Sequence, residues 1–454
     1  MEKLPDEMLL TVMHHLDIPT LLTCRLVSKR IGALVLHRDV WRQRVLDDED
    51  PWLCPVLRLA PCLAAMYVPM TLPPKRHPPF ATTRCAVAEL RVYGLADDDE
   101  DSDEDEDNYS AGHLHTSLVI RNQEALGRLK SLQVPLVTVE FNTSSCVLLE
   151  TIASTTGLER LLVSDFPGQT TDAFVEASLH SVVLQSSLKY FECVHTPAAE
   201  PFITFILAGH AETLTEVYLE AAGGSYDYCS SSTCSMAAAL AGLPALQQLT
   251  CSPLPGMGAV AACASLRQVD LNVKPDMWTT IPAAAEFLRR ARHLQSVHLL
   301  FVGEEPSDVG VGLVLALNPS VQRLAIRCYD APSGHCDPHL QALTSVLPRL
   351  RKLWKLTVHS DTMPTELLLS IKPDTNPAFK KLSLYPSASG RKVLPCLHAW
   401  LHLTALKRLL RVFRNLRINV HGWPDYCPDD KPCKGCALGC KCKDSFARIK
   451  NCDF

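Results

Sequence analysis

Apolar residues recur along most of this chain in one six-residue pattern. Each copy has apolar residues at its first, fourth and sixth positions, with mostly polar residues between them. Such alternation over the last three positions is typical of a short strand with one buried face. The copies begin about every 28 residues, at 87–92, 136–141, 158–163, 188–193, 214–219, 246–251, 266–271, 294–299, 321–326, 353–358, 379–384 and 413–418. The pattern therefore predicts a long series of short strands.

The segments between these copies favour helices, among them 170–183, 281–294 and 337–347. A strand plus a helix about every 28 residues is the signature of leucine-rich repeats. Each unit buries its leucines only by stacking on its neighbours, so the array forms one curved core. We therefore predict an α/β fold in which residues 87–420 form a curved leucine-rich-repeat solenoid. A generic α/β domain with leucine-rich strands is the alternative, and the number of copies argues against it.

The first 46 residues have a different, helical pattern. Leu9, Leu10, Met13 and Leu16 lie on one helical face, and Pro19 ends that helix. Thr20 can cap a second helix and Asp39 a third, which predicts three short helices. A domain this small cannot bury so much apolar surface internally. The exposed remainder is predicted to be an interface.

This segment resembles an F-box. The resemblance rests on the order Leu4-Pro5-Asp6-Glu7, Leu16, Leu21-Leu22, Arg25 to Arg30 and Val40-Trp41-Arg42; Ile31 departs from the family, which commonly has Trp there. It implies docking on the Skp adaptor of Skp–cullin–F-box ubiquitin ligases. The positions that match the family's apolar docking surface are Leu4, Pro5, Leu9, Leu22, Val27 and Trp41. An ordinary three-helix N-terminal cap is the alternative.

Residues 47–86 are predicted to be a linker. Eight prolines lie between positions 47 and 80, and proline at that density favours stiff, extended chain. Within this segment, residues 53–68 are apolar enough to pack against a neighbour instead. The predicted domains are thus the F-box at 1–46, the linker at 47–86, the repeats at 87–420 and a tail at 421–454.

Charge is distributed unevenly. Residues 97–107 carry ten acidic side chains, so the rest of the chain has a net charge of +5 although the whole has −5. A block of like charges is normally a solvated loop, and we predict a disordered acidic loop at 97–112.

The predicted strands carry charges beside their apolar positions, where side chains face the concave surface. Early strands place acidic residues there: Glu140, Glu192, Glu216, Glu220 and Asp270. Late strands place basic residues there: Arg323, Arg327, Lys355, His359, Lys381 and Arg417. One sign gathered on one surface attracts the opposite charge, so we predict that the late residues bind an acidic or phosphorylated substrate segment. A solvated face with clustered charge is the alternative.

The tail from 421 to 454 contains six cysteines, including Cys433-x-x-Cys436 followed by Cys440 and Cys442. That spacing suits Zn²⁺, but the Cys-x-Cys pair is a cramped ligand set, and spacing alone does not establish a site. We therefore predict neither a metal nor a cofactor. The 13 earlier cysteines are interpreted as small buried apolar residues.

Motifs of common enzymes are absent from the sequence, including GxxxxGK[ST], GxGxxG, HExxH and GxSxG. With no apolar run long enough for a membrane span and no signal-like start, a cytoplasmic or nuclear location is predicted. The F-box and the repeats together resemble the F-box/leucine-rich-repeat receptors, which are not themselves enzymes. The resemblance implies a substrate receptor whose partners are the Skp adaptor, through it a cullin, and an unknown protein target. Neither a membrane nor nucleic acid is an expected partner. The alternatives are a repeat scaffold without a ligase role and a metalloprotein built on the tail.

Overall fold

The computed structural model describes residues 4–70, 79–94, 106–136, 142–164, 166, 179, 182–221, 235–302, 310–329, 337–360, 364–386, 404–420 and 448–449. The chain divides into two compact units, Met1–Thr215 and Glu216–Phe454.

The first unit begins with four short helices: α1 (Asp6–His14), α2 (Ile18–Cys24), α3 (Lys29–Val35) and α4 (Arg38–Trp41). Asp17, rather than Thr20, caps α2 by accepting a hydrogen bond from the Thr20 amide at 3.0 Å. Ser28 has extended backbone and accepts from the Ile31 amide at 3.2 Å, so a new helix begins after it. For this reason the predicted second helix is two helices in the structure.

Arg44 ties these helices together. Its guanidinium donates to the carbonyl oxygens of Leu16 at 2.6 Å, Met13 at 3.1 Å and Val40 at 2.9 Å. The indole of Trp41, which is fully buried, donates to the Val35 carbonyl at 2.6 Å. These bonds supply donors to the carbonyls of Leu16, Val40 and Val35 at helix ends, while the Met13 carbonyl also accepts from the Leu16 amide at 3.2 Å.

A parallel sheet follows directly. Its strands are β1 (Val45–Leu46), β2 (Cys62–Pro69), β3 (Ala86–Tyr93), β4 (Ser131–Pro135), β5 (Arg160–Ser164) and β6 (Tyr190–His195), each paired with the next. The helices between them are α5 (Leu53–Leu59), α6 (Glu106–Ala125), α7 (Thr143–Ser154) and α8 (Glu200–Gly209), the last preceded by the 3₁₀ turn Pro197–Ala199. Since Val45 pairs with Ala65, the N-terminal helices lead into the sheet without a spacer.

The linker predicted at 47–86 is therefore wrong for its central part, which forms α5 and β2. The prolines misled because they sit at the ends of these elements. Pro55 lies in the first turn of α5, where an amide hydrogen is not needed, while Pro61 precedes β2 and Pro69 ends it. The apolar character of 53–68 was the better signal.

Two further predictions in this unit need correction. The copy predicted at 136–141 starts seven residues too late. The strand is Ser131–Pro135, and the pattern residues that belong to it are Leu129, Leu132 and Val134. Residues 137–141 lie outside the described part. The acidic loop does not extend to 112, since α6 is already helical from Glu106; residues 95–105 are outside the described part.

The second unit contains eight parallel strands, each paired with the next: β7 (Glu216–Ala221), β8 (Gln248–Cys251), β9 (Gln268–Val273), β10 (Ser296–Val302), β11 (Arg323–Tyr329), β12 (Lys355–Ser360), β13 (Lys381–Pro386) and β14 (Arg417–Val420). A short β15 (Arg448–Ile449) pairs antiparallel with β14. The α-helices are α9 (Ser235–Ala241), α10 (Ile281–Arg290), α11 (Val311–Leu315), α12 (Asp337–Val346), α13 (Thr365–Ser370) and α14 (Thr404–Val412). The described part of the unit also contains 3₁₀ segments at Met257–Ala262, Pro275–Thr279 and Leu347–Arg349.

The leucines of the pattern form the core of each stack. Leu324, Leu356 and Leu382 lie side by side in register on β11 to β13, and each is at most 1% exposed. The residues that alternate with them point to the opposite, polar face. The predicted fold class is confirmed: an α/β protein in which F-box-like helices precede a leucine-rich-repeat array.

Cys328 is disulfide-bonded. Cys193 and Cys251 are free thiols, and burial raises the pKa of each.

Among the helices that the structure describes, none is both long enough and apolar enough to cross a membrane.

Candidate protein-interaction surfaces

The residues predicted to dock an adaptor fall into two groups. Leu4, Pro5 and Val27 are exposed, and Leu22 is half-buried. Leu9 and Trp41 instead belong to the core of the helical domain, at 4% and 0% exposure. Their prediction as docking residues is corrected here, because a fully packed side chain cannot also cover a partner.

Three exposed apolar residues of this domain were not predicted. Met8 and Val12 are 57% and 54% exposed on α1, and Leu26 is 83% exposed after α2. Met8 and Val12 are four residues apart, so they share a helical face, which is rotated by about 100° from that of the buried Leu9 and Met13. The sequence could have shown Met8 and Val12, because their spacing marks a second apolar face on α1.

Arg30 joins the two exposed segments. Its guanidinium forms an ion pair with Asp6 at 2.6 Å and donates to the Leu4 carbonyl at 2.6 Å. This bond brings the start of α3, which directly follows Leu26 and Val27, against the start of α1. We call the exposed set Leu4, Met8, Val12, Leu26 and Val27 the N-terminal apolar surface.

Four of the predicted substrate residues lie in one line across the second unit. Arg323 pairs in register with Lys355, Lys355 with Lys381, and Lys381 with Arg417. Neighbouring strands are about 4.8 Å apart, so this basic row extends over about 14 Å. Three of its members are half-buried and Arg417 is exposed.

The basic row lacks counter-charges within the described part of the chain, where none of its members has a carboxylate within 4.0 Å. Burial lowers the pKa of Lys355, and the neighbouring Lys381, Arg323 and Arg327 lower it further. The row is therefore a site of mutual repulsion that an anion would relieve.

Two more rows run parallel to it on the same face. Two residues along each strand lies the floor row of short side chains: Ala325, Thr357, Ser383 and Asn419. Ala325, Thr357 and Ser383 are at most 5% exposed. Two residues further along the strands lie Arg327, His359 and Tyr385, which we call the outer row; His359 and Tyr385 pair in register. Short buried side chains thus lie between two rows of longer ones, and we call this polar face the groove.

His359 differs from the other predicted substrate residues. It is 7% exposed and stacks on Tyr385 at a ring-centroid distance of 5.2 Å. Burial lowers its pKa, the Cys328 backbone opposes that change, and Arg327 adds to it. His359 is therefore neutral at physiological pH. It belongs to the outer row but does not add to the positive charge of the surface.

The early acidic residues do not form a matching row. Glu192 accepts a hydrogen bond from Tyr190, and Asp270 lies 3.1 Å from His298 across β9 and β10. Glu216 is exposed at the start of β7. Glu140 and the side chain of Glu220 lie outside what the structure describes.

Groups of three or more side chains suited to a metal ion do not occur among the described residues. The cysteines from 427 to 452 lie outside the described residues, so the argument about a zinc site there rests on the sequence alone.

Comparisons with known proteins identify the N-terminal region. Residues 1–47 match the F-box-like family model. Among solved structures, the chain resembles a TLR13–ssRNA13 complex at 9% identity and a TM-score of 0.36, covering 84% of this chain and 48% of that one. It also resembles the leucine-rich-repeat-containing protein LegL7 from Legionella pneumophila at 15% identity and a TM-score of 0.38, covering 76% and 97%. The chain thus spans about half the length of the TLR13 chain. No curated protein matches it.

Proposed function

For this chain, an F-box/leucine-rich-repeat protein, we propose the role of substrate-recognition subunit in a Skp–cullin–F-box ubiquitin ligase. The observation that carries the proposal is the F-box-like match over residues 1–47, at the head of a repeat array. An F-box generally binds a Skp-type adaptor, and a repeat array offers a broad surface for a second protein. Ubiquitin transfer itself is assigned to other subunits, and the cytoplasm or nucleus is the location proposed.

The N-terminal apolar surface is the proposed docking face. Met8, Val12, Leu26 and Val27 expose more than half of their surface to solvent, although the domain buries Leu9, Met13, Leu21 and Trp41. Covering an apolar side chain of this size contributes about 1.5 to 3 kcal/mol. Three to five such residues would therefore contribute a substantial part of the free energy that association requires.

The pairing of β1 with β2 supports a receptor role. Val45 and Leu46 lie in the sheet beside Ala65 and Met66, and the Arg44 carbonyl accepts the Ala64 amide at 2.7 Å. The docking helices are therefore held rigidly against the first repeats. A receptor needs such rigidity, because holding a target near the transfer site raises its effective concentration.

The proposal is tested by capture of purified Skp adaptor and cullin on the full-length chain. The double variant Val12→Asp/Leu26→Asp places two charges on the proposed face and should reduce capture at least about tenfold. The matched control Leu315→Asp/Val412→Asp changes two residues of the second unit, each 46% exposed, and should leave capture unchanged. Unchanged capture by the first variant, or no capture by the parent chain, would favour the alternative of a scaffold without a ligase role.

A further inference from the structure

The groove on β11 to β14 has a charge that the described chain does not neutralise. Its basic row places four cations in register, and Arg327 lies four residues beyond Arg323 on β11. Positive charge held in a half-buried line costs stability, as the lowered pKa of Lys355 indicates. An arrangement that opposes folding yet is built into four successive repeats points to a ligand that supplies negative charge.

The spacing of the row limits the ligand. Four cations over about 14 Å match four or five residues of extended peptide, at about 3.3 Å per residue, running across the strands. Adjacent cations about 4.8 Å apart can share one phosphate, because its oxygens accept from two donors at once. Lys355 and Lys381 are the central pair, with Arg323 beside Lys355 and Arg417 beside Lys381.

The floor row is suited to hold such a group. The hydroxyls of Thr357 and Ser383 lie in register on β12 and β13, and neither forms a hydrogen bond to a described residue. Because Ala325, Thr357 and Ser383 are short, a ligand can lie between the longer side chains of the basic and outer rows. Because these three residues are at most 5% exposed, they form the surface beneath the ligand, and the lysines hold its phosphate or carboxylate oxygens.

A peptide fits this groove better than a nucleic acid. Proteins that bind single strands combine positive charge with aromatic side chains on which bases stack. Tyr385 is the aromatic residue of the three rows besides His359, and the two rings already stack on each other. A single-stranded nucleic acid would find charge here but no free stacking surface on the described rows.

We propose that the groove on β11 to β14 binds an extended, acidic phosphopeptide, with the phosphate held between Lys355 and Lys381 over the hydroxyls of Thr357 and Ser383. Arg323 and Arg417 then contact acidic residues on either side of the phosphate. This inference rests on the proposed receptor function, since it assigns the class of segment by which a target is recognised.

The test measures binding of a degenerate phosphoserine peptide library with acidic flanks to the full chain, alongside the same library without phosphate. The parent chain should retain the phosphorylated library preferentially. Lys355→Gln/Lys381→Gln should weaken that binding at least about tenfold, because hydrogen bonds to charged groups are the strong class. Lys355→Arg/Lys381→Arg keeps the charge and should retain most of the binding.

Lys352→Gln/Lys372→Gln is the matched control. It removes the same charge at two exposed positions of the same unit and should change binding less than about twofold. Equal weakening by both pairs would show that only net charge matters and would overturn the proposal. Equal retention of the unphosphorylated library, or tighter binding of oligouridine, would also overturn it. Thermal melting of each variant checks that it is folded, and adaptor capture, measured separately, tells a failure of this inference from a failure of the receptor role.

Discussion

The two units both carry basic residues on the polar side of their strands but surround them differently. In the first unit, Arg91 donates to Glu89 at 2.6 Å and to the Tyr67 hydroxyl at 2.9 Å, and its guanidinium lies over the Tyr67 ring. Arg160 lies 4.1 Å from the centre of the Tyr190 ring. In the second unit Arg323 is followed by Lys355 and Lys381 instead. A cation with internal partners stabilises the sheet, whereas a row without them is available to a ligand.

The most heavily satisfied cation is Arg44, and replacing it should have the largest effect. Arg44→Met leaves the carbonyls of Leu16 and Val40 without this donor and removes one donor of the Met13 carbonyl. It should lower the free energy of unfolding of the helical domain by about 2 to 4 kcal/mol. Hydrogen exchange of residues 6–41 under increasing urea measures this.

The neighbouring Arg42 gives the control for that measurement. Its guanidinium is 51% exposed and pairs only with Asp39 among the described residues, so Arg42→Met should cost less than about 1 kcal/mol. Equal losses in the two variants would contradict the role assigned to Arg44.

His195 differs from the partnered arginines of the first unit, and replacing it should have an effect of intermediate size. Its Nε2 atom is buried without a hydrogen-bond partner among the described residues, although the residue as a whole is half-buried. Burial lowers the pKa of His195 to about 4 from 6.5. Between these values the unfolded chain binds a proton that the folded chain does not, so stability is fully present above pH 6.5 and falls as the pH drops toward 4.

We expect this group to account for a loss of about 1 to 2 kcal/mol between pH 7 and pH 4.5, after allowance for partial exposure. Chemical denaturation at both pH values should show that His195→Leu reduces the pH dependence by that amount. His15→Gln, at an exposed position, is the control and should leave it intact. A pH dependence that persists in full in His195→Leu would contradict the assignment.

The smallest expected changes in stability compare the two units most directly. Replacing Arg91 in the first unit and Lys355 in the second should change stability in opposite directions. Arg91→Met removes partners in the first unit and should destabilise by about 1 kcal/mol. Lys355→Met removes repulsion in the second and should stabilise by a few tenths, about 0.3 kcal/mol. Urea midpoints of the full chain at low and moderate salt measure both, and added salt should shrink the gain from Lys355→Met. Destabilisation by Lys355→Met would mean that the lysine has a structural partner.

The sequence predicted the repeats well because a leucine pattern directly reports burial. Arg323, Lys355 and Lys381 share the third position of the pattern, so their alignment was predictable. Arg417 is fifth in the copy predicted at 413–418, so its register with Lys381 was not. The floor row was not predictable either, since Thr357 and Ser383 look like any polar strand residues until their neighbours enclose them. The N-terminal helices were harder still, because α1 is apolar on two faces and the pattern does not say which one faces outward. Leu9 was therefore assigned to the wrong side and Val12 was missed.

The short strand Val45–Leu46 has a consequence for how this protein can be divided. A sheet that ends in an unpaired strand presents open amide and carbonyl groups to other chains, which promotes aggregation. Here Val45 and Leu46 cover part of that edge on β2, and the helices before them act as the terminal cap that repeat proteins require. A repeat fragment cut after residue 46 would expose this edge and should be less soluble. The helices proposed to bind the adaptor and the cap of the repeat stack are therefore one piece of chain.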